Sequence, residues 1–386
     1  LKDGNKFSKR LKEGVSECRD YPQLINIATD GESYGHHTKF GDMALAYVLK
    51  IKAKDEGFTI TNYGEYLEKY RSDCEVDIKQ ASSWSCFHGV GRWKEDCGCS
   101  TGGHPGWNQK WRKPLRDALD YLRDELVNIY EDHGKKYFNN DVWEVRNKYV
   151  DVILDRGDMN VRKFQQENFL PNLSDEDKVR AMELLEIQRQ SMLMYTSCGW
   201  FFSEISGIET VQIMKYAARA MQLAAKFTDK NIEEHFLNIL AEAKSNIPEH
   251  GTGKDIFERF VKPSIVTAKQ IASLWALSSL YQDFEDEEDV YCYTITKKAY
   301  KKVHKGTSTF IIGHIEVQSK ITLQKSNLIF ALMQYSGGDF HCAIKEYSDE
   351  AEFNKIKTEL IKTYLMNTLT EIIRALDEYF GKEYFT

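Results

Sequence analysis

Hydrophobic positions divide the chain before any single residue does. Residues 24–29, Leu24-Ile25-Asn26-Ile27-Ala28-Thr29, form a short apolar run with the pattern of a buried strand, broken off by Asp30-Gly31-Glu32. From Phe40 the period becomes helical: Ala44, Tyr47, Val48 and Ile51 share a face, and Gly57 is placed to cap its end. Phe58-Thr59-Ile60 reads as a second short strand, and residues 63–70 as a short helix. Strand, polar turn, helix and strand in succession is the unit of a parallel α/β sheet. Residues 81–111 carry no sustained period; they hold four tryptophans, three cysteines, two histidines and six glycines. A loop this long inside a compact protein is usually functional.

Helical spacing then takes over. Leu115, Leu119, Leu122, Leu126 and Ile129 line one face of a helix ending at Gly134, and Ser174-Asp175-Glu176-Asp177 resembles a capping box for a helix reaching Gln190. Ile208, Val211, Met214, Ala218, Met221 and Ala225 predict another helix, beginning near Glu204, with further helices over 229–246 and 264–282. Six acids in the seven residues 283–289 predict a solvated linker. Beyond it the period falls to two: Ile315, Val317, Ile321 and Leu323 alternate with polar residues, and Lys325-Ser326-Asn327 reads as a turn. Strands over 328–334 and 340–346 complete an antiparallel β-module, and residues 349–380 return to helix.

Composition narrows the class. The 386 residues are 42% hydrophobic and 29% charged, and no apolar run approaches the ~18 residues of a membrane span. A net charge of −7 argues against a nucleic-acid binder, because phosphate neutralisation needs a basic face. Eight unevenly spaced cysteines suit free thiols in a reducing compartment, and nothing resembles a signal peptide, so a cytoplasmic protein is expected. Because the first residue is Leu1 rather than methionine, the sequence is also read as a possible internal piece of a longer chain.

The densest polar cluster is Asp30-Gly31-Glu32-Ser33-Tyr34-Gly35-His36-His37, directly after the first predicted strand. In α/β folds ligands bind at the carboxyl ends of parallel strands, which is where this cluster is expected. Two carboxylates, Asp30 and Glu32, can divide acid and base work if their environments separate their pKa values, while His36 and His37 can bind substrate hydroxyls, tune Asp30 or ligate a metal. The competing reading is an acidic turn with ordinary histidines. Trp84, Trp93 and Trp107 offer flat faces for pyranose rings, with Arg92, Asp96, Asn108 and Arg112 at hand for hydroxyls; a loop merely pinned by buried indoles is the alternative. Cys86, Cys97, Cys99 and His104 form C-x10-C-x-C-x4-H, from which a zinc site can be drawn. That spacing lacks a C-x2-C pair, so buried free thiols without metal are expected instead. No nucleotide, metalloprotease or serine-hydrolase motif is present, and no cofactor is called for.

The Asp30–His37 string resembles the fourth motif of glycoside hydrolase family 57, D-x-E-x-x-G followed by histidine. Ser83-Trp84, Trp93 and Trp107-Asn108 to Trp111 resemble the tryptophan block that closes that family's substrate cleft. Residues 195–209 and 375–385 resemble an uncharacterised helical block fused behind some family-57 domains. The resemblance implies an α/β + α chain: the end of a (β/α)7-type barrel (residues 1–108), a mainly helical domain (109–289), and a small antiparallel β-module with a C-terminal helix (290–386). It implies a retaining hydrolase or glucanotransferase acting on α-linked glucans, with Asp30 as general acid/base. Glu32, His36 and His37 would orient Asp30 and the sugar, and Trp84, Trp93 and Trp107 would bind substrate. The family's glutamate nucleophile lies on an earlier strand, absent from the 29 residues before Asp30, so it is expected outside this chain. The expected partner is an oligo- or polysaccharide, with neither nucleic acid nor membrane. A non-catalytic carbohydrate-binding or scaffold protein that keeps the cleft is the alternative, and a zinc-stapled module a third possibility.

Overall fold

The computed structural model describes residues 3–102, 104–335, 338–366, 368–381 and, for the backbone, 384–385. The fold is mixed α and β, about half helical, and divides into two compact units, residues 1–80 and 81–386.

The first unit holds helices but, among the described residues, no strand. Gly4–Lys12 is capped by the Asp3 carboxylate, which accepts from the Asn5 and Lys6 N–H groups. Gly41–Tyr47 runs through a π turn at Val48–Lys52 into Ala53–Asp55, and Gly57 follows at φ +77°, as expected of a helix-ending glycine. Tyr63–Lys69 is the expected short helix. The two predicted strands, 24–29 and 58–60, are irregular instead. Of the first run only Leu24 and Ile25 are even half-buried, while Asn26 through Asp30 are exposed. An apolar run becomes a strand only where a neighbouring strand satisfies its backbone, and no such neighbour exists among the described residues of this unit. A (β/α)7 barrel end is therefore not seen.

The second unit opens with the irregular segment from residue 81, whose one short helical turn is Gly91–Trp93. The tryptophan-rich segment thus belongs with the helical body. That body is built on Arg112–Gly134, which buries Leu115, Leu119, Leu122, Leu126 and Ile129, the face read from the spacing. Asp175–Leu193 and Ile208–Ala224 pack beside it in the same core. Ser174 caps the former through the Asp177 N–H, as expected. The latter starts at Ile208 rather than Glu204, and Ile208 itself is exposed.

The β-module is a six-stranded antiparallel meander in sequential order: β1 (Glu287–Val290), β2 (Tyr293–Lys305), β3 (Ser308–Ser319), β4 (Lys325–Gln334), β5 (Phe340–Glu346) and the short β6 (Tyr384–Phe385). Three features depart from the sequence reading. Half of the acidic run is edge strand β1 rather than linker, its charges discouraging association along that edge. The long β2 places Ile295, Tyr293 and Tyr300 against one core and Ala299 and Val303 against the other, but its lysines break the hydrophobic period. Lys325-Ser326-Asn327 begins β4 rather than forming a turn.

Both faces of the sheet are covered. Ile311, Ile315, Val317, Leu328, Phe330 and Leu332 face the Ala268–Ser278 helix, while Phe310, Ile312, Ile329, Ala331 and Met333 face Glu350–Met366 and Leu369–Phe380. That explains the unbroken apolar run Leu328-Ile329-Phe330-Ala331-Leu332-Met333, since an antiparallel sheet alternates only where one face meets water. Gly313 pairs with Phe330, and a Cβ there would lie 2.5 Å from that ring and 2.8 Å from the Ala299 carbonyl. Gly313→Val is accordingly expected to lose about 1–3 kcal/mol by overpacking, measured by urea denaturation. An unchanged midpoint would show that the sheet relaxes around the added atoms.

Candidate functional site

The polar loop of the first unit is held by its backbone. Asp30 accepts from the Ser33 N–H at 3.0 Å through its carbonyl, closing the turn Gly31–Ser33, and the His37 N–H donates to the Glu32 carbonyl at 2.8 Å. Gly35, at φ +108°, allows the reversal, and its N–H donates to Thr38 at 3.1 Å. The loop carries Asp30, Glu32, His36 and His37 among eight exposed or half-buried residues, with the two imidazoles 4.9 Å apart, edge to face. The Asp30 carboxylate makes no capping bond and is open to solvent. The strand expected to carry it is absent, so it sits on a turn rather than at a strand's end.

The three tryptophans of the second unit differ. Trp84 is 75% exposed, and its neighbour Phe87 is completely exposed. Trp93 instead packs on the helical core and donates its indole N–H to the Ser197 carbonyl at 2.9 Å. This is the pinning role weighed as the alternative to ligand contact. Trp107 is half-buried, with one face stacked on His104 at 3.9 Å. Arg112, read as a hydroxyl ligand, is fully buried and donates to the carbonyls of Cys99 at 2.7 Å and Phe202 at 3.3 Å. Arg92 is buried too, its guanidinium 4.4 Å from the Phe201 ring.

Cys86, Cys97 and Cys99 converge, and the histidine that joins them is His88 rather than His104. Cys86 Sγ lies 3.9 Å from Cys97 Sγ and 3.8 Å from Cys99 Sγ, and Cys99 Sγ lies 3.5 Å from His88 Nδ1. Burial pushes the Cys86 thiol up, but the backbone N–H groups of Arg92 and His88, with Cys99 and His88 side chains, outweigh it and bring it to about 6. Burial pushes Cys97 up. The signal in the sequence was the close pairing within each half, Cys86-Phe87-His88 and Cys97-Gly98-Cys99, which the wider spacing to His104 obscured.

Two other polar groupings lie elsewhere in the second unit. Glu204, at the predicted helix start, is buried and accepts from Ser245 Oγ at 2.5 Å, the Asn246 N–H at 2.8 Å and the Ser206 N–H at 3.1 Å. A cleft of about 1170 Å³ opens beside Asp175, Lys226 and Lys325, but Phe169 is its single aromatic wall and Lys226 is paired with Glu183.

With these features placed, residues 107–386 match a family described as a Domain of unknown function (DUF3536). The chain belongs to this family. The DUF3536 region takes in the helical body and the whole sheet, and begins after Cys86, His88, Cys97 and Cys99. No curated protein and no solved structure matches the chain.

Proposed function

We propose that this DUF3536 chain is part of a retaining α-glucan hydrolase or glucanotransferase, with Asp30 as general acid/base and the nucleophile outside the chain. The observation that carries the reading is the match to DUF3536, whose domains are known to sit next to glycoside hydrolase family 57 domains, behind a loop resembling that family's acid/base motif. The physical state of residues 3–80 supports it. Only Ala44, Val48 and Ala53 form buried hydrophobic core there, while Met43, Leu49, Ile51, Ile60 and Leu67 are exposed. Val48 contributes about 1.5–3 kcal/mol and the two alanines less, far below the total needed to order the whole segment at ~1–2 kcal/mol for each residue's backbone. Such a segment suits one part of a larger catalytic body rather than a free-standing domain. Glu32, His36 and His37 then orient Asp30 and the sugar, and Trp84 offers its open indole to a pyranose ring.

The full-length protein should consume soluble starch or maltooligosaccharides. Binding without turnover would favour the non-catalytic carbohydrate-binding reading, and indifference to every α-glucan would overturn the substrate class. Trp84→Ala supplies a test on the present chain. Its exposure predicts a stability change within ~0.5 kcal/mol. In an amylopectin-containing native gel, its retardation relative to a glucan-free gel should fall several-fold. Equal retardation of both forms would remove Trp84 from the sugar-binding surface.

A further inference from the structure

The irregular segment from residue 81 to the Arg112–Gly134 helix presents a physical problem. Among its described residues it contains one three-residue turn of helix, yet it brings three thiols and an imidazole to one point. Hydrogen bonds between thiols are weak and cannot alone offset the backbone entropy lost in ordering such a segment.

We propose that Cys86, His88, Cys97 and Cys99 bind one zinc ion in a closed tetrahedral site that fixes the Trp84-bearing loop to the helical body. The donor atoms have the required spacing. Zinc with sulfur ligands at ~2.3 Å and nitrogen at ~2.0–2.1 Å places two sulfurs about 3.8 Å apart, and sulfur about 3.6 Å from nitrogen. The measured edges are 3.8 and 3.9 Å between sulfurs and 3.5 Å from Cys99 Sγ to His88 Nδ1, and all four donors lie within 4.8 Å of one another. A disulfide would draw one pair to ~2.0 Å and exclude the third thiol. A two-iron cluster divides its ligands between two metal centres, which suits a wider set of donors.

The surroundings fit the charge and shape of such a site. Zinc with three thiolates and a neutral imidazole carries a net charge of −1. Arg92 and Arg112 are buried beside it, and neither has a carboxylate ion-pair partner among the described residues. The Arg92 backbone N–H donates to Cys86 Sγ at 3.4 Å, the kind of outer contact that orients a metal-bound thiolate. Gly89, at φ +75°, makes the turn after His88, and a Cβ there would meet the Ala81 carbonyl at 2.3 Å. At Gly91 a Cβ would come 3.0 Å from the Cys97 Cβ. Four protein ligands leave no open position, so the ion is structural: its binding energy is folding energy for the loop. The metal-free thiols expected from the sequence spacing are replaced by this assignment.

Elemental analysis of the full chain, purified under reducing conditions without chelator, should return close to one zinc per chain. Cobalt added to the chelator-stripped chain should give the intense visible absorption of tetrahedral thiolate coordination. Cys97→Ser and Cys99→Ser should reduce zinc at least tenfold, His88→Cys should retain it, and His104→Ala and Cys198→Ser should match the parent chain. Should the serine variants fail to fold, the parent chain still decides: zinc release by a mercurial should track modification of three thiols. Chelation should also speed proteolysis within residues 81–102. A zinc-free chain with eight titratable thiols, a Cys86–Cys97 disulfide, iron with sulfide, or zinc unaffected by both serine variants would each overturn the site. Unchanged proteolysis after chelation would overturn its role in fixing the loop.

Discussion

Replacing Glu186 with alanine should destabilise the helical body by about 3–5 kcal/mol, the loss typical of removing one partner from a buried ion pair. Its side chain, 2% exposed on Asp175–Leu193, accepts from Tyr149 Oη at 2.5 Å, Arg156 Nη2 at 2.8 Å and Arg189 Nη1 at 3.3 Å. Alanine would leave the buried Tyr149 hydroxyl and the half-buried Arg156 cation without their acceptor. Burial by itself pushes the Glu186 carboxyl up, but the Tyr149 and Arg156 hydrogen bonds and the arginine charges outweigh it and hold it below its ordinary value. A depressed folded-state value adds stability above the unfolded value of about 4.5, and that stability disappears as pH falls through the folded value. In urea unfolding, the gap between the parent chain and Glu186→Gln should therefore be constant from pH 6 to 8 and narrow below about 4.5. A gap that widens on acidification would show that the carboxylate is not stabilised by these partners.

The largest functional effect is expected at Asp30. In the full-length protein, Asp30→Asn should lower glucan turnover at least ~10²-fold, the usual contribution of a general acid. The amide keeps the shape of the carboxyl, and Asp30 is exposed with no capping bond, so folding and substrate affinity should be unchanged. Glucosides whose leaving groups need no protonation should suffer less in the glycosylation step. Equal losses on activated and natural substrates would point to a structural cause, and full activity would remove Asp30 from the reaction.

Legibility in the sequence followed the kind of contact that made each element. The Arg112–Gly134 helix could be read from spacing because one face meets one core, and the Ser174 cap because capping is local. Strands β4 and β5 were visible because their runs are apolar on both faces. The strand β2 was hidden by Lys297, Lys298, Lys301 and Lys302, whose stems cover a sheet while their charges mask its period. Residues 24–29 misled in the opposite direction, since an apolar run shows the need for a partner without supplying one. At the candidate sites, Asp30 to His37 are neighbours in sequence and so share one short loop whatever the fold around them. The partnership of Cys86 and His88 with Cys97 and Cys99 was not, because the turn at Gly89 that returns the chain is a tertiary fact.

The most direct test of the proposed retaining chemistry on an α-glucan is the anomer first released. Proton NMR of the full-length protein acting on a maltooligosaccharide should show the α-anomer appearing before mutarotation, as double displacement through a glycosyl-enzyme requires. Initial release of the β-anomer would contradict the two-carboxylate retaining assignment.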